Sequence, residues 1–207
     1  MAIDFKKIVI DGHSPEIWRG EAKILPGGFK PLQTFPIGTV LQRATLIHVD
    51  YKDGLTAAVV KTATVIKGGT TTKPRINKGH YFVVGDVITK FGDGKATPSI
   101  KSIDTSNTEY DEITFDKAYT GLEEGDIIVE SKAVGSSETA SPLYVPNMVL
   151  GAVKQFDGKG LPTLDVAYDC VVLSENTSNP IPTEWLNDWG GGCGSLKSNP
   201  NIIFIKQ

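Results

Sequence analysis

Cysteine is nearly absent from this chain of 207 residues: only Cys170, in the apolar run DCVVL, and Cys193, in a glycine cluster, occur. That excludes the disulfide framework of small secreted domains, so the fold must be held by a core, in a reducing compartment or with incidental thiols. No window approaches the roughly eighteen consecutive apolar residues of a membrane span, and MAIDFKKIVIDGH lacks the apolar stretch of a signal peptide. The expectation is a soluble chain made inside the cell. No field of one charge is present either, because 21 basic and 24 acidic side chains are interspersed for a net charge of -3. Nucleic acid and anionic membranes are therefore disfavoured as partners. Helical periodicity is scarce, and PTEWLNDW is the one place where a short turn is expected, with Thr183 as its cap.

What remains is strand after strand. GHYFVVGDVIT, SIKSIDTSNTEYDEITFD and GLEEGDIIVE follow one another between Gly79 and Glu130 as short apolar runs joined by Gly/Asp turns. VGDVI and EGDIIV echo each other, and two such turns would pin opposite ends of one small barrel. Upstream, GTVLQRATLIHVDY and LTAAVVKTATVI flank a DG turn and read as a hairpin. The fold class is all-β, with small barrel or sandwich units, an extended N-terminal arm and very little helix. The expected organisation is an arm over 1–35, broken by Pro26, Gly27, Gly28 and Pro31, and a β domain over 36–133. A small polar linker or mobile loop follows over 134–142, then C-terminal strands over 143–207 that complete the core. At 207 residues such a fold buries roughly 70% of the surface its unfolded chain exposes, enough for a core without staples.

Groups able to carry chemistry are few and scattered. His13, His48 and His80 lack a second ligand at a spacing that would complete a metal site. The carboxylates Asp104, Glu109, Asp111, Glu112, Asp116, Glu123, Glu124 and Asp126 alternate with apolar residues as an exposed strand face would, and no EF-hand loop is present. Cys193 in WGGGCGS lacks the surroundings of a cysteine hydrolase, and no phosphate-cradling loop occurs. No catalytic, cofactor-binding or metal-ligating residue is assigned, and the chain is read as not an enzyme. For recognition the candidates are Trp185 and Trp189, beside Gly190 to Gly192, with Tyr144 as a further stacking residue; the two tryptophans read equally well as a barrel plug. Trp18, Ile24, Leu25 and Phe29 in the arm have few local apolar partners and so point to contact outside the chain, with another subunit or with a larger assembly's shell.

These residues also carry a resemblance. FPIGTVLQRATLIHVDY followed by TAAVV resembles the opening of tailed-phage capsid decoration proteins. The whole stretch from GHYFVVGD to IIVESKA, with PLYVPNMVLGA and the closing NPNIIFIKQ, resembles head fibre and capsid-associated proteins of phages and prophages. Together the segments span about half of the chain and consist of fold-determining turns. The resemblance implies a virion structural protein on the capsid exterior, a homotrimer bound to the major capsid protein and made in the bacterial host cytoplasm. Heptads and shaft repeats are absent, so a knob or cap fits better than a shaft. It brings no catalytic residue. Two alternatives from other classes stay open: a carbohydrate-binding or adhesive β module, and a small β enzyme in which Cys193 or His80 meets a distant carboxylate.

Overall fold

The computed structural model describes residues 16–207 except 53, 93–96, 134–138 and 160–162, and the side chain of Pro26. Its described residues form sixteen strands and two single turns of 3-10 helix. The first strands are β1 (Lys23–Pro31), β2 (Val40–Leu41), β3 (Leu46–Asp50) and β4 (Thr56–Val59). Then come β5 (Thr62–Ile66), β6 (Arg75–Asn77), β7 (Ile88–Lys90), β8 (Ile100–Asp104), β9 (Tyr110–Phe115) and β10 (Ile127–Glu130). The chain closes with β11 (Met148–Leu150), β12 (Lys154–Gln155), β13 (Leu164–Leu173), β14 (Leu186–Gly190), β15 (Cys193–Leu196) and β16 (Asn199–Ile205).

Two ladders close on themselves. In the first the order is β1-β4-β3-β11-β13, and β13 pairs back with β1. The far end of β13 continues the sheet through β16, β15 and β14, while β2 and β12 form a separate two-stranded ribbon. Ile47, Val59, Val149, Leu164 and Val166 are fully enclosed in this unit. In the second the order is β7-β10-β5-β6-β9-β8. A bridge between Val87 and Ser99 and the bond from Ile100 N–H to the Asp86 carbonyl, 2.9 Å, return β8 to β7. Ala63, Ile76, Ile88, Ile113 and Ile128 fill this smaller barrel.

The small barrel is an insertion between β4 and β11, so the single block expected over 36–133 is divided between two units. TAAVVKTATVI reads as one strand but splits at Val60 and Lys61, with β4 in one ladder and β5 in the other. The DG hairpin does form: His48 faces Ala58 across β3 and β4. The echo of the two Gly-Asp turns is also physical. Gly85 and Gly125 take φ of 97° and 89°, a left-handed backbone that glycine adopts freely. Asp86 accepts from the Val83 N–H at 2.8 Å and Asp126 from the Glu123 N–H at 2.6 Å. The turns precede β7 and β10, antiparallel neighbours, and therefore sit at opposite ends of the barrel.

Three local expectations change. Residues 1–15 lie outside the described residues, but from Trp18, which bridges Val172, the supposed arm is part of the first sheet. β1 pairs antiparallel with β13 and, at Lys30 and Pro31, parallel with β4. Gly27 and Gly28 do not break this strand; they form a bulge between the Leu25–Val166 and Phe29–Leu164 pairs, held by the Gly27 N–H donating to Asp165. Of the two alternatives for 134–142, part of which lies outside the described residues, the linker between units does not hold, because its flanks meet: Ser131 bridges Pro142, and the Leu143 N–H donates to the Glu130 carbonyl at 2.8 Å. Thr183 opens the turn Thr183–Trp185 but does not cap it; Pro182 holds that position, and the Thr183 hydroxyl contacts Glu184 at 3.4 Å.

A buried ion-pair network spans the junction of the two units. Lys61, with 1% of its side chain exposed, reaches Asp86 at 2.7 Å and Glu130 at 3.4 Å. Gln33 bonds both backbone groups of Val59, at 2.8 Å each, and Glu130 at 3.3 Å. Lys61→Ala strands two enclosed carboxylates and is expected to destabilise the fold by about 3–5 kcal/mol in urea titrations. Burial raises the Glu130 pKa above its ordinary 4.5, with Lys61 opposing, so its ionisation is disfavoured in the folded state. That contribution to stability is complete below pH 4.5 and is lost as pH rises through the folded pKa. Glu130→Gln should remove this loss: the stability difference between variant and wild type should be flat below pH 4.5 and shift in favour of the variant above it.

Candidate functional site

The surface around the β3–β4 hairpin concentrates exposed apolar groups on a rigid base. Asp50 closes the turn by accepting from the Lys52 N–H at 2.8 Å. Gly54 and Leu55 then take φ of 74° and 59°. A leucine in the left-handed region is strained by about 1–2 kcal/mol. Even so, Leu55 is 47% exposed, beside Tyr51 at 57% and Leu32 at 50%. Neighbouring β1 fixes the geometry: the Lys30 N–H donates to the Leu55 carbonyl at 3.1 Å and the Leu32 N–H to the Ala57 carbonyl at 2.9 Å. Beneath them the Phe29 ring meets Tyr51 edge-on, with centroids 6.2 Å apart. Gly54 was legible as a turn residue, but nothing in the sequence marks Leu55 as its left-handed neighbour.

The four expected arm contacts are not brought together. Trp18, Ile24, Leu25 and Phe29 pair with β13 at Val172, Ala167, Val166 and Leu164, spread over about 25 Å of strand. Phe29 is buried in the chain's own core, which corrects its reading as a capsid or subunit contact. Trp18 is half-buried against the same core. Ile24 and Leu25 are partly exposed, and Ile24 lies over Gly151 where any Cβ would come within 2.7 Å of it. The local partners missed in the sequence come from β13, more than 130 residues further along the chain.

Nor do the aromatic recognition residues form a platform. Trp185 is buried edge-on to Phe91 of the small barrel, centroids 5.0 Å apart, so it joins the two units and does not face a ligand. Tyr144 stacks on His48 at 5.7 Å, and burial raises the pKa of its hydroxyl. Only Trp189 stands out, 60% exposed at the start of the Gly190–Gly192 tip between β14 and β15.

His80 does meet a carboxylate. Its Nε2 lies 3.1 Å from Asp111, without the alignment of a hydrogen bond, while Nδ1 accepts from the Phe82 N–H at 3.2 Å. The second bond assigns the proton to Nε2. Burial lowers the His80 pKa, against the pull of Asp111, and so favours the neutral ring. Lys78 also bonds Asp111. Asp111 itself corrects the expected exposed acidic face: it shares the inward phase of β9 with Ile113 and Phe115, an alternation readable in YDEITF. Both ring nitrogens thus face protein groups. Other carboxylates serve turns; Ser106 and Ser99 backbone N–H groups, donating to Asp104 and Asp116, hold those pKa values low. His48 Nδ1 contacts the Val145 carbonyl at 2.7 Å, and His13 lies outside the described residues. Both cysteines are free, and burial pushes the Cys170 thiol up to about 12. Among the described residues no three His, Cys, Asp or Glu side chains gather as a metal site.

Compared with known proteins, the chain matches no family model, no curated sequence and no solved structure. The two tryptophans should separate cleanly in thermal or chemical denaturation: Trp185→Ala is expected to destabilise by about 3–5 kcal/mol, and Trp189→Ala by less than about 0.5 kcal/mol.

Proposed function

We propose that this chain is a structural protein of a tailed-phage or prophage virion, seated on the capsid exterior as a knob or cap and acting by self-assembly and attachment to the shell. The observation that carries the assembly role is Leu55, an exposed apolar side chain held in a strained backbone conformation beside Tyr51 and Leu32. Strain persists where surrounding structure over-determines it, and such positions cluster at functional sites. Burying this patch in an interface would recover hydrophobic free energy of roughly 25 cal/mol per Å² covered. The virion setting rests on the sequence resemblance. In that setting the chain is made in the host cytoplasm, forms a closed trimer and contacts the major capsid protein. A three-fold assembly is heterologous, so the patch of one copy would meet a different surface of the next.

Light scattering across a dilution series tests the assembly and cosedimentation with isolated heads the attachment. The expected mass is three times the 22.3 kDa of one chain. Leu55→Asn, a residue that tolerates the left-handed region, combined with Tyr51→Ser, should leave the melting temperature unchanged or raised while shifting the mass toward one chain and weakening head binding. A wild-type protein monomeric at every concentration would overturn self-assembly, and undiminished assembly by the double variant would overturn the role of the patch.

A further inference from the structure

The seam between the two units holds a half-open cleft of about 480 Å³. Its walls come from five parts of the chain: residue 17 before β1, 39–43 around β2, 79–81 between β6 and β7, 153 before β12, and 176–178 after β13. The volume falls within the range of small-molecule sites. Arg43 is half-buried there, and among the described residues it has neither an ion pair nor a hydrogen bond. A guanidinium presents five N–H donors in a planar fork that matches a carboxylate, and its partial removal from water is unfavourable until an acceptor arrives. No Asp or Glu lines the cleft among the described residues, and the neighbouring His80 is held neutral by burial.

The remaining polar lining asks for hydroxyl groups. The side chains of Thr39, Gln42 and Ser178 have no protein hydrogen-bond partner among the described residues. Tyr81, by contrast, is spent: its hydroxyl accepts from the Gln42 N–H at 3.0 Å and contacts the Thr45 hydroxyl at 3.1 Å, which fixes the backbone beside Arg43. Val40 and Val153, 36% and 51% exposed, provide apolar edges. The geometry points to a small hydroxylated carboxylate as the ligand of this cleft, the size of one uronic acid unit, with Arg43 pairing the carboxylate and Thr39, Gln42 and Ser178 taking hydroxyls. The inference stands independently of the assembly role, since it uses none of the Leu55 surface.

Amide NMR shifts of the full chain, titrated with glucuronate, glucose and acetate, test it. Glucuronate should bind with a dissociation constant on the order of 1 mM and shift amides around 39–43 and 79–81. Glucose, lacking the charge, and acetate, lacking the hydroxyls, should each bind at least tenfold more weakly. Arg43→Gln should abolish the preference for glucuronate over glucose without changing the melting temperature, because Arg43 has no protein partner to lose among the described residues. Arg43→Lys, which keeps the charge without the fork, should fall between. Should Arg43→Gln lower the melting temperature, the Lys variant alone decides the role of Arg43. Absence of glucuronate binding, equal binding of glucuronate and glucose, equal binding of acetate, or full affinity in Arg43→Lys would each overturn the inference.

Discussion

The ammonium of Lys61 is the charge on which the arrangement of the two units depends. It sits where the chain leaves β4 for the small barrel, and its partners are Asp86, at the turn before β7, and Glu130, at the end of β10 where the barrel strands finish. One buried cation therefore ties the entry, the middle and the exit of the insertion. An ion pair at 1% exposure is weak as a source of stability, since desolvation offsets most of the attraction. Its effect is on specificity: any slip of β5 against β10, or of β10 against β7, would leave carboxylates enclosed without a counter-charge. Gln33 extends the same restraint to β4 by bonding Val59 in both directions and Glu130 at its other side.

Much of this was legible where the signal is local. Turn chemistry at Gly85-Asp86 and Gly125-Asp126 needs only adjacent residues, and both turns form as the echo suggested. The all-β character likewise follows from short alternating runs and the scarcity of helical periodicity. What failed is what depends on distant pairing. KILPGGFKP looks too broken for a strand, yet β13 partners it from Lys23 to Phe29 and β4 at Lys30 and Pro31, with the two glycines taken up as a bulge. Val60 and Lys61 look like the middle of a strand because both flanks are β-branched and apolar; only the pairing of Thr62 with Val129 on one side and Val59 with Ile47 on the other reveals a crossing.

The surface was harder to read than the core for the same reason. Trp185 and Trp189 lie four residues apart in similar sequence, but the turn Thr183–Trp185 sends one ring onto Phe91 and leaves the other in solvent. Asp111 was readable from its phase on β9, and the Leu55 backbone was not. An arginine in a polar loop is ordinary in sequence; what sets Arg43 apart is a cleft assembled from five segments that no single window contains.

The closeness of Lys61 and Glu130 has a consequence for how such a chain can change. The Glu130 N–H donates to the Lys61 carbonyl at 3.3 Å, so the two ends of the barrel segment leave the larger unit side by side. Closing a chain across so short a gap requires few residues and little entropy. The small barrel is accordingly a cassette: recombination could lengthen, shorten or exchange it while the larger ladder, assembled from β1, β3, β4, β11 and β13, keeps its register. Diversity in a lineage carrying this architecture should accumulate by replacement of whole inserts, and the Lys61 charge would mark where each splice must be compatible.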